Sequence, residues 1–592
     1  MKIQKLDVIH RYLITLAKRL SEKQLLILIS IIIGIVAAAA AYSFEFCVTT
    51  IRRFVSSVTQ DESSFNFLYF VMPVIGIILV TIFTKKIIQD NIGHGVTRIL
   101  HAITHKRSYI KPHNIYSSIV GGATTIGFGG SVGPEAPIVM TGAALGSNIA
   151  RVFRMNYRNT TILLGCGAAA ALAGIFKAPI TGVIFVMEVL MLNISTTSIV
   201  PILIAAVTSA SIIYFLHGFD PVFMVTLTSN DIQVAHMPYY ILLAIICGFA
   251  AYYLIYTGSK IESMFKKIQR QYMKWIIGGV SIGLLIMIFP PLYGQGYNSI
   301  SALIEGDTAY ILKNTPLFQF RDNIWVILGF TAAIMLLKSI AMALTNAAGG
   351  AGGAFAPSLF LGAFTGFFTA TLLNHLFNLD LPVMPFTLVG MAGVMSGAMD
   401  SPLTAVFLIA EITGGYRLFM PLMLVSAVSF ALCYYFSPYS VYTRELALKG
   451  DTVSLAKDRS ILFVDLENLI ERDFTTVKIN DNLQQLVEAV SVSRRNLFPI
   501  LNDNSEIEGY VTLNDIRSDI FKPNIYNKRR VFEYMTVPKE IISINEPISS
   551  ILDKFDKSEE WNLPVVNEEK RYLGFISKSK LFSEYRKELS KN

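Results

Sequence analysis

Long apolar runs separated by short polar breaks fill the chain as far as about residue 448, and the pattern then stops. The runs at 24–46, 66–84, 199–216, 239–256, 275–293, 324–344 and 420–436 stand out, and several reach the ~20 residues that a spanning helix needs. Beyond Leu448 charge returns and no run of this kind recurs, which predicts a soluble domain. The first run is too long for a signal-peptide core, and no small-residue cleavage site follows it, so a retained first helix is expected.

Inside the apolar region one interrupted motif occurs twice. Residues 129–146 read GGSVGPEAPIVMTGAALG, and residues 349–366 read GGAGGAFAPSLFLGAFTG, an offset of 220. The offset holds through Gly130/Gly350, Gly133/Gly353, Ala136/Ala356, Pro137/Pro357 and Gly142/Gly362. Glycine and proline open a helix where no water can satisfy the freed backbone, and such breaks persist only where they line a cavity or bind something. A matched pair in two halves points to a transporter site at the repeat interface. Helix N-termini offer unpaired N–H groups and positive dipole ends, so an anion is the expected occupant.

A second pair follows at nearly the same offset. GIFKAPITGVIFVMEV (174–189) matches GAMDSPLTAVFLIAEI (397–412) at 223, with Pro179/Pro402, Thr181/Thr404 and Glu188/Glu411 coinciding. Two motif pairs in one order indicate a duplicated membrane unit, and inversion of the halves would let both helix starts meet at one midplane site. Glu188 and Glu411 read either as proton or ion carriers or as paired structural acids closing an apolar helix. Lys177 and Asp400 occupy equivalent positions with opposite charge, and no salt bridge is expected between them.

Net charge is +8, and a basic leading segment (Lys2, Lys5, Arg11, Lys18, Arg19, Lys23) places the N-terminus on the cytoplasmic side by the positive-inside tendency. The basic balance therefore reports topology, and a nucleic-acid partner is not expected. The four cysteines lie in apolar segments without metal-type spacing, so neither a metal site nor a disulfide framework is expected. No Cys/His, Ser/His or metal-ligand pairing suggests an enzyme.

The tail repeats as well. FPILN (498–502) and LPVVN (563–567) are offset by 65, as are GYVT (509–512) and GFIS (574–577). Each copy reads as strand, turn, strand and helix, too short to bury a core alone, which predicts two copies packed together.

Taken together, these motifs resemble the CLC family of chloride channels and chloride/proton antiporters over about residues 24–450, with a tail similar to a paired CBS module. GSVGPEAPIV resembles that family's G-K/R-E-G-P signature, and GGAFAPSLFLGA its G-x-F-x-P signature. NIGHGV (91–96) is similar to its G-S-G-x-P-E motif, and SVYT (440–443) to the stretch carrying a central tyrosine. The resemblance implies a mostly α membrane protein, an inverted repeat of tilted and broken helices, with a cytoplasmic α/β CBS pair. The expected domains are a cytoplasmic segment 1–23, a membrane domain 24–450 (repeats about 24–235 and 236–450) and a tail 451–592 (CBS copies about 470–526 and 531–590).

By resemblance Glu135 is the gating glutamate. A carboxylate at a helix N-terminus competes with a permeating anion for the same N–H donors. An alternative register puts Val132 at the gate, but the repeat aligns Glu135 with Phe355. The anion shell is expected from His94, Gly353, Ala354, Phe355 and the hydroxyl of Tyr442, with Tyr439 as the rival tyrosine. His94 stands where the family often has serine, so the selectivity tied to that serine does not carry over. Pro134 replaces the signature's basic residue and Ala136 its second glycine. Val189 stands where antiporters carry a second acid, which favours a channel, gated by voltage or pH, over an exchanger.

In the tail, Thr512 and Asp515 match a ribose-contacting Ser/Thr-x-x-Asp run, and Asp515 reads equally as a helix N-cap. An adenine nucleotide is thus a candidate ligand, and no cofactor is otherwise expected. The expected function is chloride transport by a homodimer in the plasma (inner) membrane, both termini cytoplasmic. The leading reading is a channel; the alternative is a chloride/proton antiporter. Fluoride transport is disfavoured by the central tyrosine. A CBS-regulated divalent-cation transporter is the alternative from another class, disfavoured because the helix starts offer positive dipole ends where a cation needs carboxylates.

Overall fold

The structure is a computed structural model and describes residues 21–58, 68–90, 92–93, 95–191, 196–225, 233–448, 466–546, 548–581 and 583–584. The segment expected before residue 21, and His94, lie outside the described residues. The chain divides into two compact units, a membrane unit and a C-terminal unit.

Among the described residues of the membrane unit, nine helices are long and apolar enough to cross a bilayer. Several are hydrophobic all round, as buried or lipid-facing helices are. Shorter helices, Pro179–Glu188, Val383–Met399 and Pro402–Ile412, supply the broken elements. Close packing rests on small residues. A Cβ on Gly142 would fall 2.1 Å from the carbonyl of Gly167, and one on Gly362 would fall 2.3 Å from that of Gly390. Each contact joins a Gly-Pro helix to the helix that follows it, in the way small residues let membrane helices approach.

The duplication is inverted, and two reciprocal sets of hydrogen bonds show how. Glu188 accepts the N–H groups of Leu403 (3.0 Å) and Thr404 (2.7 Å) and the Thr404 hydroxyl (2.7 Å). Glu411 accepts the equivalent N–H groups of Ile180 (3.0 Å) and Thr181 (2.8 Å) and the Thr181 hydroxyl (2.6 Å). Each helix thus ends on the start of its counterpart, so the two run antiparallel. These acids cap the orphan N–H groups of a first turn, where negative charge also suits the dipole. The structural reading of the pair is the one observed.

The same symmetry operates at the Gly-rich breaks. Thr125 Oγ1 accepts from the Ala351 N–H at 2.9 Å, and Thr345 Oγ1, 220 positions on, accepts from the Ser131 N–H at 3.2 Å. Gly129 and Gly349 both hold positive φ, 99° and 116°, which glycine tolerates without a steric cost.

The C-terminal unit contains two three-stranded sheets related by the 65-residue offset. One has the order Val477–Lys478, Leu497–Leu501, Ile507–Thr512, and the other Ile542–Ser543, Asn562–Val566, Tyr572–Ser577. In each, the first pairing is parallel and the second antiparallel, with a register shift at the equivalent place. The copies are joined edge to edge, for example by Tyr572 N–H donating to the Ser505 carbonyl at 2.9 Å.

Candidate functional site

The two Gly-rich breaks meet. Gly133 N–H donates to Gly353 O at 2.9 Å, and Gly353 N–H donates to Gly133 O at 2.9 Å, a two-residue antiparallel bridge between the repeats. The Gly353 N–H is therefore spent on the other repeat. It does not join an anion shell as expected, and its contribution is the missing side chain.

That missing side chain makes room for Glu135. The acid begins the helix Glu135–Val152 directly after Pro134, fully buried. Its Oε1 accepts the N–H of Phe355 at 2.7 Å. A Cβ on Gly353 would lie 1.8 Å from Oε1, and one on Gly133 would lie 2.0 Å from Oε2. Only a glycine pair leaves a slot in which this carboxylate fits. Oε2 has no hydrogen-bond partner among the described residues, so the slot is half satisfied. Pro137 and Pro357 sit in the first turns of their helices, where a missing N–H costs nothing.

Phe355 opens the facing helix, Phe355–Phe377, and its ring stacks on Phe176 at 5.3 Å between centroids. Ala354 is that helix's N-cap residue and lines a cavity of about 130 Å³ together with Gly352, Ala136, Thr97 and Tyr442. Tyr442 is buried, with its hydroxyl unpartnered among the described residues and within Coulombic reach of Glu135. Its backbone is fixed on two sides. Thr97 Oγ1 donates to the Tyr442 carbonyl at 2.9 Å, and the neighbouring Val441 N–H donates to Ala398 O at 3.0 Å. Thr97, which the motifs do not single out, thus positions Tyr442.

The rivals fall elsewhere. Val132 packs on Gly352, where an added Cβ would meet its side chain at 2.2 Å. Tyr439 is 40% exposed, against 5% for Tyr442. Val189 is buried, and the acid beside it, Glu188, is engaged on the start of Pro402–Ile412. Among the described residues no group of three or more His, Cys, Asp or Glu side chains is arranged to hold a metal ion.

In the C-terminal unit Thr512 and Asp515 form a capping box. Asp515 Oδ2 accepts the Thr512 N–H at 2.8 Å and its hydroxyl at 2.7 Å. Thr512 is the N-cap residue and Asp515 stands three positions on, so Asp515 takes part in the cap without being the N-cap expected of it. Arg495 pairs with Glu471 and Asp473 nearby, which holds the Asp473 carboxyl below the ordinary range.

The geometry is accompanied by a consistent set of likenesses. Residues 75–434 match the family model described as voltage gated chloride channel, and residues 466–522 and 531–587 each match that of the CBS domain. A relative from Ralstonia nicotianae, named a ClcB-like chloride channel protein, is 26% identical over 61% of this chain and 78% of its own length. The H(+)/Cl(-) exchange transporter ClcA of Salmonella arizonae is 24% identical over 74% of this chain and 91% of its own. The crystal structure of a slow cyanobacterial Cl-/H+ antiporter superposes with a TM-score of 0.61 at 21% identity, covering 73% of this chain and 98% of that one, and shares the fold.

Proposed function

Since the chain belongs to the voltage gated chloride channel family and transports chloride, we propose that it does so in exchange for protons. The observation that carries this is the Glu135 carboxylate seated on the Phe355 N–H at 2.7 Å. A carboxylate there is a tethered stand-in for the anion, because both need the same donor. One negative occupant excludes the other. A proton on Glu135 removes its charge and its claim on the N–H, and chloride then takes the vacated place. Tyr442 and Ala354 supply neutral donors, which replace water around chloride without holding it too firmly to leave. Each chloride entry is thereby tied to a change in the protonation of one acid, which is the requirement for exchange.

The exchanger reading is also the one that the ClcA relatives favour by name. Buried Val189 supports the second reading, a passive channel, because no second acid stands at that position to relay protons. The transporter works as a homodimer with one pathway per subunit and its C-terminal unit in the cytoplasm. An adenine nucleotide at Thr512 and Asp515 is its candidate regulator.

The test is reconstitution in liposomes under a tenfold chloride gradient. Uphill proton movement is expected in wild type, and loss of it with retained chloride flux in Glu135→Ala. Large chloride flux without proton movement in wild type selects the channel; no chloride flux defeats both.

A further inference from the structure

A second phenol stands near Glu135. Tyr297 opens the helix Tyr297–Glu305, directly after Gly296 at φ 83°. A Cβ on Gly296 would fall 2.3 Å from the ring of Phe360, so glycine lets this turn press against the Phe355 helix. Lys338, fully buried, donates to the Gly294 carbonyl at 3.0 Å and to Ser131 Oγ at 2.8 Å, and its Nζ lies 4.6 Å from the Phe360 ring centroid. Gly294 N–H in turn donates to Gly129 O at 3.1 Å. The loop that leads into Glu135 and the turn that carries Tyr297 are tied together by one cation and one backbone bond.

Within this frame the Tyr297 hydroxyl is buried and has no hydrogen-bond partner among the described residues. It lies within Coulombic reach of Glu135, as Tyr442 does. The unpaired Oε2 of Glu135 makes a third orphaned polar atom in the neighbourhood. Buried donors without partners are costly, and native structures keep them where something arrives to use them.

The surroundings say from where. The Tyr297 ring lines a cavity of about 310 Å³ whose wall also includes Arg52, Lys313 and Pro290. The cavity beside Tyr442 has Lys266 in its wall. One apolar span, Gln271–Ile288, separates Lys266 from Pro290, so the two cavities belong to opposite ends of the membrane unit. Glu135 stands between them, with one orphaned phenol toward each.

We propose that Tyr297 is the counterpart of Tyr442 on the far side of Glu135, its hydroxyl donating to the anion in transit between the Arg52 cavity and the Phe355 N–H. The assignment rests on the reading of the Glu135 position as the anion site. Arg52 and Lys313 raise the local concentration of anions at the mouth. Tyr297 then supplies a neutral donor at the point where the ion loses its water, and Glu135 controls the step beyond it. Two neutral hydroxyls bracketing one carboxylate give an anion a partner on either side of the gate.

The test is equilibrium chloride binding to the purified full chain, in a Glu135→Ala background that leaves the place free. Tyr297→Phe removes one oxygen and keeps the ring against Phe223, 6.1 Å away and edge-on. About a tenfold loss of chloride affinity is expected, the effect of deleting a hydrogen bond to a charged partner. Unchanged affinity in the double variant overturns the role of Tyr297 and leaves the Glu135 reading intact. No chloride binding in Glu135→Ala alone overturns both. Bromide-soaked crystals of Glu135→Ala give a readout that needs no second substitution. An anomalous peak within hydrogen-bond distance of Tyr297 Oη supports the assignment, and peaks confined to the Tyr442 side refute it.

Discussion

Glu135 and Phe355 are 220 positions apart in the chain and one hydrogen bond apart in space, 2.7 Å from Oε1 to the backbone nitrogen. The contact joins the first helical residue of one repeat to the first helical residue of the other. Neither half can make the site alone. The helix start of the second repeat supplies the donor, and the first repeat supplies the side chain that occupies it.

The slot for this carboxylate predicts an energetic coupling. Gly353→Ala places a methyl 1.8 Å from Oε1, so the variant is expected to lose about 1–3 kcal/mol of stability as an overpacked core does. In a Glu135→Ala background the same substitution should cost much less, because the opposing atoms are gone. A double-mutant cycle on thermal unfolding in detergent measures the difference. Additive costs would mean that Gly353 is glycine for some other reason.

Tyr442 is held by Thr97 through its backbone, and this separates position from chemistry. Thr97→Val removes the 2.9 Å bond to the Tyr442 carbonyl and is expected to weaken chloride binding several-fold while Tyr442 keeps its hydroxyl. Tyr442→Phe should weaken binding about tenfold by removing the donor itself. Combining the two should add little beyond Tyr442→Phe. Full additivity, read by calorimetric chloride titration, would show that Thr97 acts elsewhere.

The acids Glu188 and Glu411 are caps, so their loss should appear in stability. Removing either by alanine leaves two N–H groups and a hydroxyl without their partner, a cost of about 1–2 kcal/mol by analogy with lost N-caps. The two costs should be similar, since the contacts are related by the repeat. Proton-to-chloride stoichiometry in liposomes should not move in Glu188→Gln. A changed stoichiometry would return Glu188 to the transport path.

The C-terminal unit carries a testable acid response. Asp519 accepts from Lys522 Nζ at 2.8 Å and from Tyr534 Oη at 2.8 Å, and these bonds, led by the one from Lys522, hold its carboxyl below the ordinary range. The unfolded chain then binds the proton more tightly than the folded one. The stabilisation is complete above the unfolded value of about 4 and is lost as pH falls through the lower folded value. Melting of the full chain between pH 5 and pH 3 should fall more steeply in wild type than in Asp519→Asn. Identical slopes would remove Asp519 from the account, and the effect is expected to be small because the pair is partly exposed.

The sequence by itself determined the membrane unit, its duplication, the two-copy tail and the place of Glu135. Those features depend on local rules: a spanning helix needs an apolar run, a broken one needs glycine and proline, and a repeat leaves its offset in the residues. The same 220 offset pairs Thr125 with Thr345, a signal that was open to inspection and marks the two hydroxyls that brace the breaks. Tertiary structure alone decided what each group has left to give. Gly353 appears in sequence as a donor, yet its N–H is consumed by Gly133. Glu188 and Glu411 read in sequence as carriers or as paired acids alike, and only the packing shows each bound to the opposite repeat. Tyr297 carries no motif, and its unpartnered hydroxyl near Glu135 arises only when a turn from the second half is packed beside the first. Hydrogen-bond capacity is spent between segments far apart in the chain, so what remains for a ligand becomes known only once the segments have met.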